Sequence, residues 1–324
     1  MPFRIKVSLV ILAVLVAAAV VLPLVVPIAP PAGVRPLSAV AGPDAEYVSV
    51  AGVDLHVRRW DGPDDGPTFL LLHGFPYSSR TFDDLAPSLA ALGDVVAVDL
   101  PGFGLSERPD PDDPDLALDP YAAASQPRLV AGAIAALGLG RPVLLGHGSG
   151  ARVALDVALA SPELVGGLVT VGASPYVVQR RSFLARLVMR TPQFERLGPV
   201  FLRQLASEPG LRILSAGWYD PTGITPERRD AFLEPFTVEG WDVALWRLSQ
   251  AEPPAGLEGR LGAVSAPVLV VAGAEDGVVP VAQSERLAAE LPRAELALVP
   301  GCGHAVQEEC PSDLASAIAA WLAE

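Results

Sequence analysis

Residues 143–162 read VLLGHGSGARVALDVALASP, and this stretch predicts a buried strand, a glycine-rich turn and a helix in direct succession. The apolar run that ends at Leu145 is typical of a parallel strand covered on both faces. Gly146 and Gly150 allow the strand and the helix to approach closely, and the residue between them is held in a strained backbone conformation. A nucleophile there would lie at a helix N-terminus, where backbone N–H groups stabilise negative charge. Gly148 occupies that position, so the turn carries no nucleophilic side chain.

Short apolar runs alternate with helical patterns along most of the remaining chain. This alternation predicts an α/β fold with a mostly parallel, doubly wound sheet and helices on both faces. The first run alternates like an exposed strand and turns at Ala51-Gly52, whereas the later runs are short and continuous. The predicted strands cover residues 48–57, 68–72, 95–99, 143–145, 168–171, 267–272 and 295–299.

Polar residues follow several of these strands, at the sheet edge where such folds bind their ligands. His73-Gly74-Phe75-Pro76 follows the first buried strand, and Asp99 opens a glycine-rich loop that ends at Ser106. Asp276 and His304 come after the last two strands. An aspartate can hold an imidazole in one tautomer so that the imidazole accepts a proton. We expect Ser106 to be a structural turn residue, because turn serines commonly bond their own backbone.

Together these motifs resemble the α/β-hydrolase family, in its capped form with a His-Gly-x-Pro loop, over residues 47–322. The resemblance implies that Gly148 stands in the nucleophile slot and that Asp276 and His304 are the other two catalytic residues, in the family's chain order. It also implies an oxyanion hole formed by the backbone N–H groups of Phe75 and Ser149, and a cis bond before Pro76 is plausible. The resemblance implies no cofactor and no metal.

Ser149 is the alternative nucleophile if the turn is shifted by one residue. Such a shift would place His147 where a small residue is needed, so we favour the Gly148 register and expect His147 to be a packing or backbone-bonded residue.

Three functions remain open for a site with this pattern. In the first, Ser149 or a water activated by His304 attacks an ester-like carbonyl, with activity impaired because losing such a nucleophile can cost on the order of a millionfold in turnover. In the second, the chain is a non-catalytic pseudoenzyme that binds a ligand. In the third, His304 is the base of a non-covalent lyase or of a cofactor-free oxygenase.

Residues 174–262 interrupt the core, which comprises residues 46–173 and 263–324, and resemble the helical cap of the family. Aromatic residues in this segment would line an apolar pocket for a small hydrophobic molecule, although at least half of the rings are expected in the cap's own core. The aromatic residues are Tyr176, Phe183, Phe194, Phe201, Trp218, Tyr219, Phe232, Phe236, Trp241 and Trp246.

The N-terminal residues 1–28 predict a membrane anchor. Arg4 and Lys6 precede an apolar stretch long enough to cross a bilayer, and this basic flank favours a cytoplasmic N-terminus with an extracytoplasmic globular domain. A cleaved signal peptide is the alternative. Residues 29–45 are rich in proline and glycine and form a linker by composition.

The formal net charge is -14 and no basic cluster is visible, which argues against nucleic acid as a partner. Cys302 and Cys310 are the two cysteines, and the sequence leaves open whether they pair.

Overall fold

The computed structural model describes residues 3–176, 182–252 and 254–324. Residues 1–2 of the predicted anchor, and residues 177–181 and 253 of the predicted cap, lie outside the described residues. The described chain forms a mixed eight-stranded sheet in the order β1-β2-β4-β3-β5-β6-β7-β8. The strands are β1 Glu46–Val50, β2 Val53–Trp60, β3 Phe69–Leu72, β4 Val95–Val98, β5 Val143–His147, β6 Gly167–Val171, β7 Val268–Gly273 and β8 Ala294–Val299.

Strand β2 runs antiparallel to both β1 and β4, and every other neighbouring pair is parallel. The predicted α/β class and mostly parallel sheet are therefore confirmed. The predicted turn between the first two strands is also present, with positive φ at Ala51 and Gly52.

Core helices cover both faces of this sheet, and further helices form the N-terminal span and the predicted cap. They are α1 Phe3–Val25, α2 Leu37–Ala41, α3 Ala86–Ala90, α4 Gln126–Ala136, α5 Ser149–Ala160, α6 Phe183–Met189, α7 Pro192–Leu202, α8 Glu208–Ala216, α9 Pro226–Leu233, α10 Trp241–Gln250, α11 Val281–Glu290, α12 Val306–Glu309 and α13 Pro311–Leu322. Alternate residues of β3 enter two separate apolar layers: Leu70 and Leu72 pack on one face, and Phe69 and Leu71 on the other. Every residue of the strands from β3 to β7 is buried, which explains their continuous apolar runs.

Helices α6 to α10 lie between β6 and β7, in the segment predicted as the cap. A third apolar cluster joins this segment to the core, because Tyr77 of the core packs with cap residues such as Phe232 and Trp241. Among the described residues, no cap ring lines the cavity described below, contrary to one part of the sequence prediction, but half of the ten rings are buried in packing, as the other part expected. Five are buried in packing (Trp218, Phe232, Phe236, Trp241 and Trp246), and four are exposed (Phe183, Phe194, Phe201 and Tyr219). Tyr176 packs beneath the Arg286 guanidinium on the core.

The N-terminal helix α1 contains an apolar span from Val7 to Val25, and none of that span is buried in the protein. It is a candidate membrane-spanning segment. The following residues, predicted as a linker, run along the cap. Arg35 donates its backbone N–H to Thr237 O at 2.8 Å and accepts from Glu239 N at 2.9 Å. The segment also contains the short helix α2.

Candidate active site

The turn between β5 and α5 has the geometry that its glycines predict. Gly148 has φ 52° and ψ -112°, a conformation that L-residues with a side chain rarely adopt. A Cβ at Gly146 would collide with Ala151 N, and one at Gly150 with Leu72 O, so both positions require glycine. A Cβ at Gly148 would lie 3.6 Å from His304 Nε2. The strained position therefore faces the imidazole with room for a side chain that the sequence does not supply.

His304 and Asp276 come together at the carboxyl end of the sheet. His304 Nδ1 and Asp276 Oδ2 are 2.9 Å apart, and the Asp276 side chain is only 1% exposed. Asp276 Oδ1 accepts the backbone N–H groups of Val278 and Val279, each at 2.8 Å. These bonds fix the carboxylate, which in turn orients the imidazole so that Nε2 faces Gly148.

Two neighbours keep the imidazole in place. Gly172 has φ 56°, and a Cβ there would lie 2.8 Å from His304 Cε1 and Nδ1, so the ring fits only against glycine. The His147 ring packs against His304, with 4.7 Å between ring centroids. Burial, together with any positive charge on His304, holds the pKa of His147 well below its ordinary value. His147 is therefore a neutral packing residue, in line with the sequence expectation.

Phe75 and Ser149, the two residues predicted to form the oxyanion hole, are in direct contact. The Phe75 backbone N–H donates to Ser149 Oγ at 2.9 Å, and the bond between Phe75 and Pro76 is cis. Ser149 is the first residue of α5, where backbone N–H groups have no partner within the helix. Within the described residues, the Ser149 hydroxyl is hydrogen-bonded to this loop and not to His304. A substrate oxygen that takes the Phe75 N–H must displace that hydroxyl.

The loop after β4 is structural. Ser106 Oγ donates to Asp99 O at 2.5 Å and accepts the His56 N–H at 2.8 Å. Burial alone would raise the pKa of Asp99, but the hydrogen bond and charge of His56 outweigh it and lower that pKa. His73 accepts the Leu100 N–H through Nε2 at 3.0 Å and thereby ties the oxyanion loop to the loop after β4.

A cavity of about 740 Å³ reaches this site from the cap side. Its lining includes Phe75 and Ser149 of the site and Leu245 and Leu248 of α10. The exposed side chains of Arg186 in α6 and of Arg190, just after α6, also line it. Its aromatic lining comes from Phe75, Phe103 and Tyr121, all of them outside the cap. The lining is therefore mixed, because it combines these rings with the charged side chains of Arg152, Asp156 and Glu252 as well as the two arginines.

Two glutamates on α12, which the sequence did not single out, attach the cap to the loop of His304. Glu308 accepts hydrogen bonds from Thr81 Oγ1 at 2.6 Å and from Trp218 Nε1 at 3.2 Å. Glu309 accepts the backbone N–H groups of Gly303, at 2.6 Å, and of Tyr219, at 3.0 Å. Burial raises the pKa of Glu308 to about 7, although its hydrogen bonds act in the opposite direction.

Cys302 and Cys310 form a disulfide across the same loop, with Cα atoms 6.3 Å apart. The sequence left this pairing open. Within the described residues, no group of three or more His, Cys, Asp or Glu side chains is placed to hold a metal ion.

Comparisons with known proteins agree with this architecture. A family model described as "Alpha/beta hydrolase family" matches residues 69–317. The chain is 28% identical to the uncharacterized hydrolase YugF of Bacillus subtilis, over 84% of this chain and 95% of that protein. It is 30% identical to the pimeloyl-[acyl-carrier protein] methyl ester esterase of Nitrosomonas europaea, over 74% of this chain and 90% of that protein.

One solved structure matches almost the full length of the chain. It is a membrane phospholipase A described as a bacterial virulence factor, with a TM-score of 0.67 and 25% identity. The match covers 99% of this chain and 98% of that one, and therefore includes α1.

Proposed function

Because the chain belongs to the alpha/beta hydrolase family, we propose that it is a membrane-anchored hydrolase that cleaves a hydrophobic, ester-like substrate without a covalent intermediate. The observation that carries this proposal is the Asp276–His304 pair, which faces the vacant position at Gly148. An oriented base beside a space where a serine would otherwise stand can activate a water molecule instead.

In this mechanism the water lies beside Gly148 and gives a proton to His304 Nε2 while its oxygen attacks the ester carbonyl. The carbonyl oxygen becomes an oxyanion, which accepts hydrogen bonds from the backbone N–H groups of Phe75 and Ser149. When the tetrahedral intermediate collapses, the ester C–O bond breaks and the leaving alkoxide takes the proton from His304. The products are a carboxylic acid and an alcohol.

Activity without a serine is expected to be modest but measurable. An oxyanion hole and substrate positioning retain roughly a thousand- to ten-thousandfold acceleration over water when a catalytic triad is removed. A positioned general base contributes typically a hundred- to ten-thousandfold. The two contributions overlap, and the oxyanion contribution requires that Ser149 Oγ leave the Phe75 N–H.

The substrate class follows from the cavity and from two similar proteins. The cavity wall is more apolar than polar, with charged side chains among its lining, and its volume of about 740 Å³ fits a molecule of drug or lipid size. One relative is a methyl ester esterase, and the full-length structural neighbour is a membrane phospholipase A. A hydrophobic ester is the substrate that these features share.

The anchor is α1, whose apolar span is long enough to cross a bilayer. Arg4 and Lys6 at its start favour a cytoplasmic N-terminus, which puts the globular domain on the extracytoplasmic side. The paired cysteines agree with an oxidising compartment.

The test is hydrolysis of p-nitrophenyl esters of increasing acyl length by the full-length protein in detergent. We expect slow turnover that Ser149→Ala preserves or increases and that His304→Ala abolishes. Loss of turnover in Ser149→Ala would instead identify Ser149 as the nucleophile.

A second candidate function is favoured by the hydrogen bond between the Phe75 N–H and Ser149 Oγ, because it occupies an oxyanion donor. In that case the chain binds a hydrophobic ligand without turning it over. An unmodified protein that binds a fluorescent fatty acyl probe but hydrolyses none of the esters would establish this candidate.

A further inference from the structure

Helices α6 and α7 of the cap expose large apolar side chains to solvent. On α6, Phe183 is 74% exposed, Leu184 66% and Leu187 56%; on α7, Phe201 is 61% exposed and Phe194 37%. We call this surface the α6–α7 face. Exposed apolar side chains concentrated on neighbouring helices are unusual for a soluble surface and mark a site of contact with another apolar body.

The end of the anchor helix lies directly against α7, one of these two helices. Arg196 of α7 donates to the backbone oxygens of Leu24 and Val26, the latter at 3.1 Å. Arg203, just after α7, donates to Ala29 O at 2.9 Å. Leu24 O is one of the last carbonyl groups of α1, which lack partners within the helix, and Arg196 provides its partner; Val26 and Ala29 follow the helix. A bilayer that surrounds α1 therefore reaches the cap at α7.

The charge of this surface differs from that of the chain as a whole. Residues 183–203 carry four arginines and one glutamate, whereas the whole chain has a formal net charge of -14. Helices that lie in a membrane interface combine an apolar face with arginine or lysine, because the apolar face enters the acyl boundary and the cations meet anionic headgroups. The α6–α7 face has both components, and among its arginines Arg203 also forms an ion pair with Asp242 at 2.8 Å.

The cavity extends to the same helices. Arg186 of α6 and Arg190, just after α6, line it together with Leu202 of α7. Both arginines are exposed and form ion pairs with Glu252, which also lines the cavity, at 3.2 Å and 3.7 Å respectively. The outer part of the cavity is thus bounded by the helix that also exposes Phe183, Leu184 and Leu187.

From these contacts we infer that the α6–α7 face docks on the surface of the bilayer that α1 spans. The substrate then passes from the leaflet into the cavity beside Arg186 and Arg190 without crossing water. The inference rests on the proposed anchoring by α1, and the occupant of the face is the phospholipid surface itself.

The test uses the full-length protein in vesicles of phosphatidylethanolamine and phosphatidylglycerol, with a nitroxide attached to single introduced cysteines. The two native cysteines are paired, so an introduced thiol is labelled selectively. Leu187→Cys reports the α6–α7 face, with Leu184→Cys as a second reporter if the first variant misfolds. Val14→Cys reports α1, and Asp64→Cys, in the loop between β2 and β3, is an exposed control at the opposite edge of the sheet.

Power-saturation EPR then compares the accessibility of each probe to oxygen, which concentrates in lipid, and to a water-soluble nickel complex. Docking predicts a higher ratio of oxygen to nickel accessibility at Leu187 than at Asp64, shifted toward the ratio at Val14. A lipid-like ratio at Val14 with a water-like ratio at Leu187 would overturn docking and leave the anchor intact. A water-like ratio at Val14 would overturn both.

Coverage of the face by a second copy of the chain is a third outcome, and it also contradicts docking. It would appear as dipolar broadening between Leu187 probes that disappears on dilution with unlabelled protein. None of these readouts requires catalysis, so an inactive protein tests the docking equally well.

Discussion

Restoring a hydroxyl at the vacant position of the elbow is the most direct test of the site. In Gly148→Ser the new Cβ would lie 3.6 Å from His304 Nε2 and 3.9 Å from Gly74 Cα, which are ordinary contact distances. The hydroxyl oxygen, one bond further out, can then approach Nε2 within hydrogen-bond reach. We expect the variant to become a conventional covalent esterase that uses the existing Asp276–His304 pair.

The substitution has a stability cost that the backbone predicts. A residue with a Cβ at φ 52° is strained by about 1–3 kcal/mol, within a total stability of typically about 5–15 kcal/mol. The variant should therefore fold with a lower melting temperature. Gly148→Ala is the matched control, because it introduces the same backbone strain without the hydroxyl.

The expected gain in activity is large compared with that cost. Removing the serine of a triad lowers turnover on the order of a millionfold, which sets an upper limit for restoring it. We expect kcat/KM for p-nitrophenyl butyrate to rise at least about a hundredfold, because the other parts of the site are already oriented. Gly148→Ala should show no gain, and His304→Ala in the Gly148→Ser background should remove it.

Labelling by a fluorophosphonate gives an independent readout, since only a nucleophilic hydroxyl forms the adduct. Gly148→Ser should gain the mass of one phosphonyl group, whereas the unmodified protein and Gly148→Ala should not. A Gly148→Ser variant as stable as Gly148→Ala that neither hydrolyses the ester nor takes up the label would refute our assignment of the vacant slot.

Three further changes test the surroundings of the imidazole. Asp276→Asn should lower any His304-dependent hydrolysis by roughly a hundredfold or more, since the amide favours the wrong tautomer, and circular dichroism should show an intact fold. Gly172→Ala should displace the imidazole, because the added Cβ would lie 2.8 Å from its Nδ1; a variant with unchanged kcat/KM would show that the ring tolerates the contact. Burial raises the pKa of Glu308 from 4.5 to about 7, so the folded state binds the proton more tightly and loses about 3 kcal/mol as the pH rises through that window. Glu308→Gln should flatten the pH dependence of the free energy of unfolding between pH 4.5 and 7 in urea titrations, and an unchanged slope would contradict the burial argument.

Local sequence patterns were sufficient to predict the strands and the backbone turn that carries Gly148. A buried parallel strand needs a continuous apolar run, and a tight reversal into a helix needs glycine, so 143–162 predicts both its structure and the position of Gly148. The order of the strands then brings Asp276 and His304 to the same edge of the sheet, since parallel strands share their carboxyl ends. The positions of these residues, and the cis bond before Pro76, followed from motifs.

The long-range contacts described above could not be predicted from local sequence patterns. An aromatic residue is equally apolar whether it packs inward or faces outward, and only the packing of α6 to α10 determined that Trp241 is buried while Phe183 is exposed. The hydrogen bond from Phe75 to Ser149 joins residues that are far apart in the chain, as do the contacts of Glu308 with Thr81 and Trp218.

The sequence by itself determined the buried strands, the reversal at Gly148 and the apolar span of α1, because each depends on residues adjacent in the chain. The tertiary structure decided the strand order and which groups meet: the hydrogen bond from Phe75 to Ser149, the pairing of Cys302 with Cys310, and the contact of α1 with α7. These contacts depend on the angle and register at which separate elements pack. Hydrophobic burial drives that packing without direction, so the apolar pattern of one segment does not specify its partner.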